Sequence, residues 1–383
     1  MACNIPFEER NTPWRGILDL ATGCYPGFLF GGSTEGILPV FHFHEVTPDY
    51  LEPYLIYLSE NGYQTVTSEA ISAFALKGTN PGPKCIALTF DDAWLSLWTV
   101  VAPLLKKYRF TAIAYASPSR IHDAISVRPT MIDAGWQAPA STNSNFSSWP
   151  ELKAMHESGT IDIQAHTFSH SVIFCDRLIT GFVTPGYNPH IHLRPLMNDI
   201  KPYTYVSASD LGCPLYSQRS RMSDALRFFE PPDSRARCLE LVKREGGKAF
   251  FERSNWGEVL RKTAGEGSGR FETEDERRKA IRDELVKTRE TLFSRLAGHK
   301  ALHMCFPFSI CGKTAESLLK EAGYETAFAD KLFGFRSVKT GDNPYRLMRL
   351  KHQFIFCLPG NRRQGFIKAW KNQIISSPLR GED

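Results

Sequence analysis

Several things are missing from this chain, and each absence narrows what it can be. No apolar run in its 383 residues approaches the ~18 residues of a membrane span, so no membrane-spanning helix is expected. Residues 1–15 contain Glu8, Glu9, Arg10 and Arg15 and no apolar stretch, which is unlike a secretory signal and favours a cytoplasmic location. The nine cysteines are odd in number, scattered from Cys3 to Cys357 and without a Cys-x-x-Cys pair. Reduced, mostly buried thiols are expected rather than a disulfide framework. A net charge of +5 is mild, and basic residues are mixed with acidic ones, notably over 272–295. With no stripe to track phosphates, nucleic acid is not an expected partner. There is no internal repeat and no low-complexity tract.

What is present is the composition of a globular protein, 42% apolar and 23% charged, with a high aromatic share of 12%. Strand-like and helix-like segments alternate. A strand over 37–42 precedes a helix over 48–61 with Leu51, Tyr54, Leu55 and Leu58 on one face, closed by Gly62. A short strand at 65–66 and a helix over 68–77, with Ser68 as N-cap, come next. The unbroken run 85–90 reads as a strand covered on both faces, as in parallel sheets. A helix over 100–108, a strand over 111–116, a helix over 149–158 and a strand over 161–165 continue the rhythm. It ends with strands over 301–308 and 325–329 around a helix at 314–322. This alternation predicts a parallel α/β architecture.

The stretch from 175 to 271 breaks the pattern with Pro185, Pro189, Pro195, Pro202 and Pro214, and reads as an insertion carrying short helices. Residues 1–36 read as an irregular leader to the catalytic region, 37–383.

Two motifs carry chemistry. Thr89-Phe90-Asp91-Asp92 ends one strand-like run, and His166-Thr167-Phe168-Ser169-His170 follows another. Successive strand residues face opposite ways, so both carboxylates reach one site only where the strand ends and the chain bends. If the second motif turns helically, His166 and His170 share a face at the i, i+4 spacing of zinc sites. An Asp-Asp pair alone is commonly a solvated turn, and a lone His-x-x-x-His is commonly nothing. Together, each at a strand end, they point to one metal ion with an open position that acidifies a water.

These motifs resemble the polysaccharide deacetylases with the NodB homology domain, carbohydrate esterase family 4, whose signatures are TFDD and H-[ST]-x-x-H. Trp149-Pro150-Glu151-Leu152 and Ala322-Gly323-Tyr324 agree with it, and the likeness spans roughly 37–350. The resemblance implies a deformed (β/α)7-type barrel, NodB-like as in glycoside hydrolase/deacetylase folds, with the long insertion. It implies Asp91 as general base and Asp92, His166 and His170 as metal ligands, with metal-bound water attacking an N-acetyl amide.

Phe43-His44-Glu45-Val46 resembles the early Tyr-His segment of the poly-N-acetylglucosamine deacetylase branch and makes His44 the candidate acid, with His352 the runner-up. Three departures stand out. Ala93 occupies the usual Gly position, a small change expected to be tolerated. The third motif is reduced to Cys305-Phe306-Pro307-Phe308-Ser309, where the backbone N–H of Phe308 is the candidate oxyanion donor. The Arg that orients the base is absent from that motif.

The expected function is thus a metal-dependent hydrolase removing an N-acetyl group from an acetamido sugar or glycan precursor. The alternative is an amidohydrolase on a cyclic amide or N-formyl substrate. The cofactor is one divalent ion, Zn2+ first, with Co2+, Ni2+, Mn2+ and Fe2+ also suited to this donor set. The partner is a small-molecule or oligosaccharide substrate, and homo-oligomerisation is left open.

Overall fold

The structure, a computed structural model, describes residues 20–138, 146–198, 203–265, 267–329 and 336–376. Of the expected irregular leader, residues 1–19 lie outside the described set. In chain order the first elements are β1 (Val40–Phe43), α1 (Pro48–Glu60), β2 (Gln64–Thr65), α2 (Ser68–Lys77) and β3 (Cys85–Asp91). Then come α3 (Ala102–Tyr108), β4 (Ala112–Ala116), α4 (Trp149–Glu157) and β5 (Ile161–Ala165). The middle of the chain forms β6 (Val172–Phe182), β7 (Leu196–Asn198), β8 (Thr204–Tyr205), β9 (Pro214–Ser220), β10 (Phe228–Phe229), α5 (Ser234–Arg244), α6 (Trp256–Ala264) and β11 (Arg270–Phe271). The rest is α7 (Glu274–Arg295), β12 (His303–Cys305), α8 (Lys313–Leu319), β13 (Thr326–Phe328), β14 (Leu350–Lys351) and α9 (Phe366–Ser376).

These elements fall into two compact units, the larger drawn from Arg10–Ser169, Glu284–Cys311 and Glu316–Asp383, the smaller chiefly His170–Asp283 with Gly312–Ala315. In the larger unit the strands run in the order β13-β12-β5-β4-β3-β1-β14, with β2 added beside β3, and every pairing is parallel. A parallel bridge between Phe328 and Leu347 links β13 to the segment leading into β14. The strands thus come round on themselves as a deformed (β/α) barrel, as the resemblance implied. All residues of β3 and β4 are buried, because helices cover parallel strands on their outer face. Leu38, Val40, Ile71, Phe74, Ala87, Ile113, Phe328 and Leu347 belong to one buried cluster of this unit.

Local chemistry shifts several boundaries. β1 starts at Val40 rather than at 37, because Pro39 has no N–H to give the ladder and Leu38 instead bridges Val338 in antiparallel fashion. Ser68 is the first residue of α2 and not its N-cap; its N–H and Oγ both donate to Asp162 Oδ2 on β5, at 3.0 and 2.5 Å. α3 begins late, after a π-helical turn over Leu97–Val101. Pro103 cannot donate to the Thr99 carbonyl, which accepts the Met131 N–H at 2.9 Å instead. The strand expected over 301–308 is only β12, since Pro307 and a left-handed Phe308 (φ 57°) end it.

Among the described residues the smaller unit holds short helices as expected, but also three antiparallel pairs, β6 with β9, β7 with β8 and β10 with β11. Phe174, Tyr216, Phe228, Cys238, Val242 and Leu260 share its own buried core. Among the described residues no helix is long and apolar enough to cross a membrane.

Candidate active site

The first motif lies where β3 ends. Asp92 (φ 69°) and Ala93 (φ 56°) are left-handed, so the chain bends directly after Asp91 and the two carboxylates escape strict strand alternation. Asp91 is almost completely buried, and Arg349 grips it with both arms, Nη1 to Oδ1 and Nη2 to Oδ2 at 2.7 Å each. Arg349 Nη1 also donates to Thr89 Oγ1 at 2.9 Å, and the guanidinium lies 5.6 Å from the ring centroids of both Tyr115 and Phe328. Burial pushes the Asp91 carboxyl up, but the Arg349 cation outweighs it and holds the pKa below the usual value. Asp91 is therefore ionised despite its burial.

Asp92 meets Trp94 and His166. Trp94 Nε1 donates to its Oδ2 at 3.2 Å, while its Oδ1 faces His166 Nε2 at 3.4 Å. His166 Nδ1 sits 2.7 Å from the Cys305 carbonyl, which can only accept, so Nδ1 carries the proton. Two acceptors then confront one another across 3.4 Å, and something positive belongs between them. Burial disfavours the imidazolium, yet the Asp92 and Asp91 carboxylates raise the His166 pKa well above its ordinary value. A divalent cation answers the same need, because arms of ~2.1 Å in tetrahedral array put neighbouring ligand atoms ~3.4 Å apart. The Trp94 and Cys305 contacts are of the kind that orient metal ligands.

The second motif is not a helical turn. Thr167 (φ 60°) and His170 (φ 48°) are left-handed, and the backbone is held from outside. Ala116 O accepts the His166 N–H at 3.0 Å, Ser117 Oγ donates to His166 O at 2.8 Å, and Phe168 O accepts the Ser119 N–H at 3.0 Å. Glu284 on α7 takes the Ser169 N–H and hydroxyl at 2.9 and 2.6 Å. With its groups bound to the loop after β4 and to Glu284, the motif has no use for i, i+4 bonds. Its last residue, His170, opens the smaller unit, where it is buried with its ring centroid 3.9 Å from that of His192.

Of the other expected residues, His44 is well placed, with Nε2 3.8 Å from Asp91 Oδ2. His352 is turned elsewhere. Its ring stacks on Phe43 at 4.7 Å, its Nδ1 lies 3.1 Å from His42 O, and its Nε2 meets the Tyr50 hydroxyl. That places it in the aromatic layer against α1 with Tyr54 and Phe356. Phe308 sits in a left-handed turn followed by a second left-handed residue, Ser309 (φ 58°), directly after β12.

Arg349, Glu284 and Trp94 were not singled out from sequence. The one available signal was Arg349 itself, a cation set among the apolar residues Leu347, Met348 and Leu350. It brings to Asp91 a guanidinium that the third motif lacks.

Residues 78–178 match the family model described as polysaccharide deacetylase. The chain is similar to the poly-beta-1,6-N-acetyl-D-glucosamine N-deacetylase of Escherichia coli (strain K12), 28% identical over 151 residues, covering 38% of this chain and 21% of that protein. YxkH of Bacillus subtilis (strain 168), whose name places it among polysaccharide deacetylases, is 29% identical over 86 residues, covering 20% of this chain and 31% of its own. The chain therefore spans less than a third of the length of these curated relatives. Among solved structures it is similar to the BpsB deacetylase domain of Bordetella bronchiseptica, with TM-score 0.49, 15% identity, and 82% of this chain and 95% of that one covered. The polysaccharide deacetylase resemblance read from the two motifs thus stands, carried by the segment 78–178.

Proposed function

We propose that this chain is a metal-dependent hydrolase that removes the N-acetyl group of an acetamido sugar or glycan precursor. The observation that carries the reading is the division of labour between adjacent carboxylates: Asp91 locked to Arg349, Asp92 facing His166 Nε2 at 3.4 Å. In this reading Asp92, His166 and His170 hold one divalent cation, with zinc the first choice for two imidazoles and a carboxylate. When bound, the cation supplies Lewis acidity at the amide carbonyl and eases deprotonation of water.

The chain's own residues do the rest. Asp91, kept ionised by Arg349, accepts the proton of the attacking water as its oxygen bonds to the carbonyl carbon. The Phe308 backbone N–H steadies the oxyanion. His44 delivers a proton to the departing nitrogen, the C–N bond breaks, and acetate and a free amine remain.

The test is acetate release from a panel of N-acetylated sugars and chito-oligomers, before and after chelation. Chelation should abolish release, and Asp91→Asn should lower it on the order of 10²- to 10⁴-fold. Formate release, or no small acid from any member by a metal-loaded protein, would replace the acetyl sugar with another amide.

A further inference from the structure

Asp91 has a second set of neighbours besides Arg349. His42 lies in β1 and His44 directly follows its last residue, so the strand alternation carried one residue further turns both to the same side. One ring nitrogen from each and one Asp91 carboxylate oxygen all lie within 4.8 Å of one another. The two rings meet edge to face at 5.7 Å, and His44 Nε2 stands 3.8 Å from Asp91 Oδ2. All three side chains belong to the larger unit, and none of the three is Asp92, His166 or His170.

We propose that His42, His44 and Asp91 form a second cation site, weaker than the one at Asp92 and His166, whose occupation stops catalysis. Two imidazoles and a carboxylate are donors for zinc, copper or nickel rather than for magnesium or calcium. The 3.8 Å gap between His44 and Asp91 exceeds the ~3.4 Å tetrahedral edge by a few tenths of an ångström, within reach of a small side-chain rotation. Arg349 does not close the site, since it uses one lone pair on each Asp91 oxygen and an ionised carboxylate offers about four. Its positive charge nevertheless opposes a nearby cation, which is why this site is the weaker of the two. The inhibitory consequence rests on the deacetylase reading, because a cation here takes up both the base Asp91 and the acid His44. The binding itself does not rest on it.

The experiment is a zinc titration of the metal-stripped full chain against a chromophoric chelator, with turnover followed in parallel. Wild type should bind two equivalents at least tenfold apart in affinity, and turnover should fall as the second fills. His42→Gln and His42→Ala should lose the weaker equivalent, and the rate of each variant should stay flat over that zinc range. Asp92→Asn should lose the tighter equivalent and keep the weaker one. Magnesium should reproduce none of this. A single equivalent in wild type, or a weaker equivalent that survives both His42 substitutions, would overturn the proposal. A protein that binds both equivalents as described but releases no acetate would retain the cation site and sink the deacetylase reading instead.

Discussion

The two units each bury an arginine–carboxylate pair, and the pairs are nearly alike. Arg349–Asp91 in the larger unit has side chains 7% and 4% exposed; Arg221–Glu272 in the smaller has 5% and 2%. Both are forked, with contacts of 2.7 Å in the first and 3.0 and 2.8 Å in the second. What differs is what else stands around the carboxylate. Glu272 receives the Arg227 N–H at 2.7 Å, a backbone donor that ties β10 and β11 together. Asp91 has His44 at its edge and Asp92 and His166 beside it. Burial and charge pairing are common to both; only the surroundings of Asp91 offer anything that can react.

The largest effect that separates the pairs is on turnover. Arg349→Ala should cost about 10²-fold in kcat under the deacetylase reading, because the base loses the cation that keeps it ionised. Arg349→Lys should recover little, since an ammonium cannot fork across both oxygens. Steady-state kinetics on the best substrate of the panel decides this, and wild-type turnover by Arg349→Ala would place Asp91 outside the chemistry.

Next comes stability. Arg221→Ala should destabilise by ~3–5 kcal/mol through a stranded buried carboxylate, with turnover per folded molecule unchanged. The paired replacement Arg221→Met with Glu272→Leu should regain most of that, short of about 1 kcal/mol for the Arg227 N–H left without its acceptor. Denaturant melts of the single and double variants provide the measurement. A double variant no better than the single would show that the Arg221–Glu272 pair does more than neutralise itself.

A third buried carboxylate, Glu151, sharpens the comparison through pH. It accepts from Arg128 Nε at 2.8 Å and from the N–H groups of Ser148 and Arg128 at 2.8 and 3.0 Å. Burial pushes its carboxyl up, but Arg128 and the two amides prevail and hold the pKa below the usual range. A carboxyl lowered on folding contributes stability above its unfolded pKa of about 4.3, and loses it as pH falls through the folded value. Wild type should thus lose more stability than Glu151→Gln as the pH drops from 6 towards 3. Parallel melting curves of the two proteins would reveal no Glu151 contribution.

The smallest effect is at Ala93, left-handed and buried where relatives of the motif carry glycine. Ala93→Gly relieves about 1 kcal/mol of left-handed strain but uncovers a buried methyl worth about 0.8 kcal/mol. A net change below about 1 kcal/mol in either direction is expected by thermal melting. A larger gain would mean that the Asp92–Ala93 bend stores strain for the site.

Much of this was legible in the residues. The run 85–90 is a strand because near-unbroken apolar residues must be covered on both faces, the stretch 161–165 alternates Ile161, Ile163 and Ala165 with Asp162 and Gln164, and the observed β3 and β5 match them closely. The bend after Asp91 followed from strand alternation alone. The helical reading of the second motif failed because its backbone is bound by Ser117, Ser119, Ala116 and Glu284, none of which the local spacing reveals. The place of His352 was hidden for a similar reason: its packing in the aromatic layer against α1 depends on β14 pairing with β1.

The sequence by itself determined the parallel α/β architecture and picked out the candidate site side chains, because periodicity and strand ends are local properties. Tertiary structure alone decided which carboxylate is forked by a guanidinium and which faces His166. Arg349 lies 258 positions from Asp91 along the chain, and only the strands coming round from β13 through β14 to β1 bring it there. No local pattern records a contact that depends on a barrel being completed.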